Sequence, residues 1–180
     1  MIFFWADFGL SVLMREFLSL SEVYERVFAL SLECARAEEV PVGAIVCRRT
    51  PEGTYRVLAE GRNRVLEKRD PTAHAELSAL RQAARTLGSE RIGDTLLVTT
   101  LEPCLMCSGA ILLARTAEVH YFAPTESGLG LADVLDMDEL GLGRKKRINH
   151  RPRLVPAEEY RERTGELLRS FFADRRKPNP

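Results

Sequence analysis

The sequence predicts a three-layer α/β/α domain with helices on both faces of a central mixed sheet. Three observations lead there. Segments with apolar residues at helical spacing alternate with short apolar runs rich in Val, Leu and Thr. The first two runs are joined by TPEGT, a turn-forming segment that suits a β-hairpin. Two later helices each lie between strands, as the crossovers of a parallel arrangement do. The 180-residue chain is 45% hydrophobic and 29% charged, sufficient for one globular domain with a full core. Lys plus Arg and Asp plus Glu both number 26, so no whole-molecule field attracts a polyanion, and any such site must come from local clustering.

The opening MIFFWADFGLSVLM is apolar, but it lacks a basic leading region and a small-residue cleavage site. It also carries Asp7 within the run and is too short to span a bilayer. Residues 1–18 are therefore expected to be an extension that packs on the domain or a partner, or to precede a true start at Met14. The domain itself is expected over residues 19–177, in a cytoplasmic protein with no membrane association. In that compartment structural disulfides among the four cysteines are not expected.

Ser19 and Glu22 form a possible capping box ahead of a helix whose apolar stripe is Leu20, Val23, Tyr24, Val27, Leu30 and Cys34. Residues 42–48 and 55–61 form the hairpin. DPTAHAELSALRQAARTLG reads as a second helix, with Pro71 suited to its start, Asp70 or Thr72 as cap, and Gly88 as its end. TLLVTTL, residues 95–101, is a buried strand. CLMCSGAILLARTA is a third helix and EVHYFA, residues 118–123, the next strand. A short helix near LADVLDMDEL, a basic stretch, and a last helix from Pro156 to about Asp174 complete the chain.

His74 and Glu76 do not fit the amphipathic pattern of the second helix. Residues two apart lie on nearly opposite sides of a helix, so the pair can cooperate only over the helix's N-terminal end. Cys104 and Cys107 open the next crossover helix. Their spacing puts both thiols on one side with Cβ atoms about 5–6 Å apart, and the positive helix end favours thiolates. Two thiolates and an imidazole select zinc over hard cations, and three protein ligands leave the open position of a catalytic site. Glu76 is then the proton acceptor that such a site needs. A structural zinc knuckle or a redox pair is the alternative reading of Cys104 and Cys107; a knuckle would want a second Cys or His pair. Cys34, on the apolar stripe, and Cys47, on a strand, read as packed core thiols. His120 and His150 read as ordinary structural residues.

HAE followed by PCLMC resembles the His-x-Glu and Pro-Cys-x-x-Cys pattern of the zinc-dependent cytidine/deoxycytidylate and adenosine deaminase superfamily, a worked case of base-flipping chemistry. EEVPVGAIV, GRNRV, RDPTAHAEL, TLEPCLMCSGAI, LADVL, NHRP and SFFADRRK, in that order, are similar to the bacterial tRNA-specific adenosine deaminases over residues 22–177. The resemblance implies a cytidine-deaminase-like fold with a five-stranded mixed sheet. It implies one Zn2+ per chain, held by His74, Cys104 and Cys107 and carrying a bound water or hydroxide, with Glu76 as the proton shuttle. Asn63, Ala75, Pro41 and Val42 would bind the substrate. The implied reaction is hydrolytic deamination of adenosine to inosine at the wobble position of a tRNA anticodon stem-loop, by a homodimer.

One departure bears on the substrate. After EVHYFA, family members carry a longer loop with an Arg-Asp pair and a lysine; residues 124–132 here are shorter and more acidic. GRKKRINHRPR, with Lys145, Lys146 and Arg147 at its centre, offers phosphate contacts in compensation, or is simply a solvated loop. A deaminase of free guanine, cytosine or cytidine is the alternative within the same chemistry. A non-catalytic zinc-stabilised binding protein is the alternative outside it, and Glu76 argues against it.

Overall fold

The computed structural model of the chain describes residues 17–126, 128–139 and 148–175. Strand β1 (Phe17–Leu18) precedes helix α1 (Leu20–Arg36), the hairpin β2 (Gly43–Arg49) and β3 (Tyr55–Arg62), and the single-turn α2 (Val65–Lys68). Then come α3 (Ala75–Leu87), β4 (Leu96–Leu101), α4 (Leu105–Ala114), β5 (Glu118–Ala123), α5 (Leu131–Glu139), β6 (Arg153–Pro156) and α6 (Glu158–Arg175).

The strands form one mixed sheet in the order β1-β3-β2-β4-β5-β6. The pairs β1/β3, β3/β2 and β2/β4 are antiparallel, whereas β4/β5 and β5/β6 are parallel. Alternation along β2 shows how the layers are made. Ala44 and Val46 point into a core shared with Ala75, Ala79, Leu80 and Ala83 of α3, Ile111 of α4 and Leu131 and Leu135 of α5. Ile45 and Cys47 point to the other face, against Val23, Val27 and Leu30 of α1 and Tyr160 of α6. Helices thus cover both faces, as expected, and β2 and β4 read as continuous apolar runs because they are buried from both sides.

The capping box of α1 is present: Glu22 N–H donates to Ser19 Oγ at 3.3 Å, and Ser19 N–H donates to the Glu22 carboxylate at 2.8 Å. Both crossover helices, α3 and α4, end in left-handed C-caps, Gly88 and Arg115. Gly61 is required by close approach, since a Cβ there would lie 2.0 Å from the Ala75 carbonyl oxygen at the first residue of α3. That contact sets the start of α3 directly against β3.

Three expectations change. The sheet has six strands rather than five, because Phe17 and Leu18 pair with Arg56 and Tyr55 at the edge; Leu18 is fully buried, although both residues fall within the extension read from sequence. Helix α3 starts at Ala75, not at Pro71. Asp70 Oδ1 accepts from both the N–H and the hydroxyl of Thr72, at 2.8 and 2.7 Å, so these residues close a turn of their own ahead of the helix. Pro156 ends β6 rather than opening the last helix; a proline is tolerated on this edge strand. Residues 1–16 and the basic residues Lys145, Lys146 and Arg147 lie outside the described residues. Among the described residues no helix is long and apolar enough to cross a membrane.

Candidate active site

The later start of α3 resolves the position of its unusual pair. His74 is the N-cap, with extended backbone at φ −74°, ψ 152°, and Glu76 is the second helical residue. Cys104 holds the corresponding place on α4, as N-cap with φ −66°, ψ 170°, and Cys107 lies one turn in. Consecutive crossovers bring the two helix starts together at one end of the sheet. His74 Nδ1 lies 3.7 Å from Cys104 Sγ and 3.6 Å from Cys107 Sγ.

These three donor atoms all lie within 4.8 Å of one another, the one metal-ligand cluster of three or more found among the described residues. The distances fit zinc. Tetrahedral bonds of about 2.3 Å to sulfur and about 2.0 Å to nitrogen separate the donors by about 3.6 Å. Cys34 and Cys47 are buried elsewhere, where burial raises both thiols, Cys47 to about 12. They are core residues, as expected. His120 is also structural: Tyr24 donates to its Nδ1 at 2.7 Å and its Nε2 donates to Glu118 at 3.2 Å. His150 Nε2 donates to the Thr116 carbonyl at 2.6 Å.

Without a cation, the two sulfurs divide one proton between them. The bond from Cys107, and then His74, pulls the Cys104 thiol down to about 3, while the Cys104 thiolate and burial push Cys107 up. One thiolate forms readily and opposes the second; a divalent cation removes that opposition. His74 is raised, chiefly by its contact with Cys104. Glu76 is 3% exposed, and burial raises its carboxyl. Its Oε2 is buried with no hydrogen-bond partner among the described residues, while the Cys107 side chain interacts with the same carboxyl.

His74, Glu76 and Cys104 line a cavity of about 310 Å³ with Val42, Asn63, Leu66, Leu101 and Thr125. Of the four residues expected to bind substrate, Val42 and Asn63 line this cavity. Pro41 and Ala75 are buried but are not among the cavity's lining residues; the Ala75 side chain belongs to the core against β2 and β3. A larger open groove of about 640 Å³ is lined by Arg62, Arg64, Lys68, Arg81 and Arg85 with Glu33 and Glu60, and contains none of the metal-ligand donors. The smaller cavity is the one that the metal-ligand candidates His74 and Cys104 line.

Sequence reasoning missed two acids of its wall, Glu39 and Glu102, and placed Arg175 only in a basic cluster near the end of the chain. Glu39, 2% exposed, accepts from Asn63 Nδ2 at 3.2 Å and from Glu67 N–H at 2.8 Å. Glu102 accepts from the N–H groups of Thr125 at 3.2 Å and Ala132 at 3.0 Å, so it ties down both ends of the 124–132 loop. Arg175, at the end of α6, reaches the cavity, donates to the Glu38 carbonyl and stacks on Phe171 with its guanidinium carbon 4.6 Å from the ring centre. An acid whose partners are backbone N–H groups has no signature in sequence spacing.

The chain is 38% identical over 137 residues to a tRNA-specific adenosine deaminase of Aquifex aeolicus, a match covering 74% of this chain and 81% of that protein. It is 44% identical over 109 residues to a tRNA(Ile)-lysidine synthase of Deinococcus radiodurans, covering 61% of this chain but only 18% of the length of that relative. A solved structure from a study of A-to-I editing by tRNA:A34 deaminases at the wobble position superposes with a TM-score of 0.68 at 29% identity, over 82% of this chain and 99% of that one. Residues 19–123, which contain all three metal-ligand candidates and Glu76, match the cytidine and deoxycytidylate deaminase zinc-binding region, and the chain belongs to that family of zinc-binding deaminases.

Proposed function

We propose that this protein hydrolytically deaminates adenosine to inosine at the wobble position of a tRNA anticodon, in the cytoplasm and as a homodimer. The observation that carries the chemistry is the unpartnered Glu76 Oε2 in the same cavity as His74 and Cys104, whose donor atoms cluster with the sulfur of Cys107. His74 Nδ1 and the two sulfurs would hold zinc. When bound, zinc supplies a Lewis acid that makes water acidic enough to be deprotonated near neutral pH. Glu76 Oε2 would accept one proton of the attacking water and deliver it to the ring nitrogen, then carry the remaining hydroxyl proton to the departing amine as the C–N bond breaks, so that water and adenosine become inosine and ammonia. Val42 and Leu101 exclude water from the base, and Asn63 offers it an amide. The cavity is small, which suits one base withdrawn from its stack.

The tRNA assignment is supported by the Aquifex aeolicus relative and the A34 deaminase structure. It is also supported by the cationic groove, because Arg62 and Arg64 flank Asn63 in the chain and the groove gathers five cations against two carboxylates. The dimer is supported by α4, whose exposed side presents Leu105 at 56% and Leu113 at 81% exposure to solvent. Purified zinc-loaded protein should be given an anticodon stem-loop with adenosine at the wobble position, and in parallel adenosine, guanine and cytidine, with products read by mass. The proposal expects inosine in the stem-loop at a rate far above any free-substrate conversion. Xanthine or uridine formed from free substrate with an unchanged stem-loop would replace it with the free-base alternative.

A further inference from the structure

Glu39 touches none of the metal-ligand candidates, yet it is one of the most deeply buried acids in the protein and forms part of the cavity wall. Its two oxygens have separate tasks. Oε1 accepts from the backbone N–H of Glu67, in α2, and Oε2 accepts from Asn63 Nδ2. Asn63 is itself 5% exposed, and its backbone is fixed by N–H donation to the Val42 carbonyl at 3.0 Å. With its backbone held and its side chain buried, turning over of the terminal amide is the rearrangement that needs the least space.

An amide can turn over, exchanging oxygen for nitrogen at almost no steric cost. A carboxylate accepts only, so a carboxylate beside Asn63 allows one orientation, with Nδ2 toward Glu39. We infer that Glu39 is a positioning residue that locks the Asn63 amide in the orientation used to read the substrate base. The inference rests on the reading of Asn63 as a substrate contact.

Substitution by glutamine makes the point sharply, because it keeps the shape and removes the ambiguity about charge alone. The Glu67 N–H is backbone and cannot turn over, so it claims the glutamine oxygen. The glutamine nitrogen then faces Asn63, two donors oppose each other, and the Asn63 amide must rotate to present Oδ1. The donor and acceptor offered to the base are exchanged, while the bond between residues 39 and 63 and the packing around it persist. A role confined to stability would leave catalysis untouched by such a change.

The test uses zinc-loaded full chain, with the substrate that turns over in the panel described above, and the variants Glu39→Gln, Asn63→Ala and the double. Asn63→Ala should lose about tenfold or more in kcat/KM, as expected when a buried polar contact to ligand is removed. Glu39→Gln should lose a comparable factor with its zinc content and Tm close to those of the parent. The double variant should be no worse than Asn63→Ala within about twofold, because an absent amide cannot be misoriented. Glu39→Gln at parental kcat/KM with Asn63→Ala impaired would overturn the positioning role and leave the substrate contact standing. Losses that multiply in the double variant would overturn it as well. Asn63→Ala at full activity would remove the substrate contact and the inference together, without touching the deaminase reading that parental turnover itself tests.

Discussion

Replacing Glu76 by glutamine separates its chemistry from its energetics. The carboxylate is 3% exposed and Oε2 has no partner among the described residues, so the folded protein bears the cost of an unsatisfied buried acceptor, about 1–3 kcal/mol. Burial raises the Glu76 carboxyl, which means that the folded state binds its proton more tightly than the unfolded state. The sign follows: stability falls as pH rises above the unfolded value of about 4.3 and stops falling above the folded value. Glu76→Gln removes that loss in the metal-free protein at neutral pH. At about 2–4 °C per kcal/mol for a chain of this size, Tm should be unchanged or higher by a few degrees. Activity should fall about 10²-fold or more, the usual contribution of general acid–base catalysis. Differential scanning calorimetry with and without chelator, zinc analysis, and product mass complete the assay. A variant that keeps parental turnover, or that loses activity only because its Tm and zinc content collapse, would refute the reasoning.

His74→Ala and Cys104→Ala should each reduce bound zinc well below one per chain, and full stoichiometry by atomic absorption in either would exclude that residue as a ligand. Burial holds His120 below its ordinary value, with Glu118 partly offsetting, so its contribution is complete above about pH 6.5 and is lost as pH falls below it, where the unfolded chain takes up the proton first. Tm should therefore fall more between pH 7.5 and 5.5 in the parent than in His120→Gln, and parallel profiles would contradict this. Neutralising Lys145, Lys146 and Arg147 together should lower the salt slope of stem-loop binding by about 0.7 for each phosphate contact removed. An unaltered slope would mean these side chains touch no phosphate.

Much of this site was legible because its logic is local. Cys104 and Cys107 are three apart at a helix start, and the order of crossovers alone sets that start beside the one carrying His74. The failures have physical causes. Asp70 and Thr72 satisfy each other, so a segment that looks like a helix cap is a separate turn, and the helix waits until His74. Strand β6 is four residues with no buried position, and it ends in a proline, so nothing in its pattern distinguishes it from a loop. Glu39 and Glu102 take their meaning from N–H groups brought in from elsewhere in the fold, at Glu67, Thr125 and Ala132. Spacing along the chain carries no trace of them.

The caps of two helices, His74 and Cys104, with Cys107 one turn further on, would together make an open zinc centre. X-ray absorption at the zinc edge of the loaded protein tests it most directly. Two sulfurs at about 2.3 Å, one imidazole nitrogen at about 2.0 Å and one further light atom are expected. A shell of four protein donors, or one without two sulfurs, would contradict it.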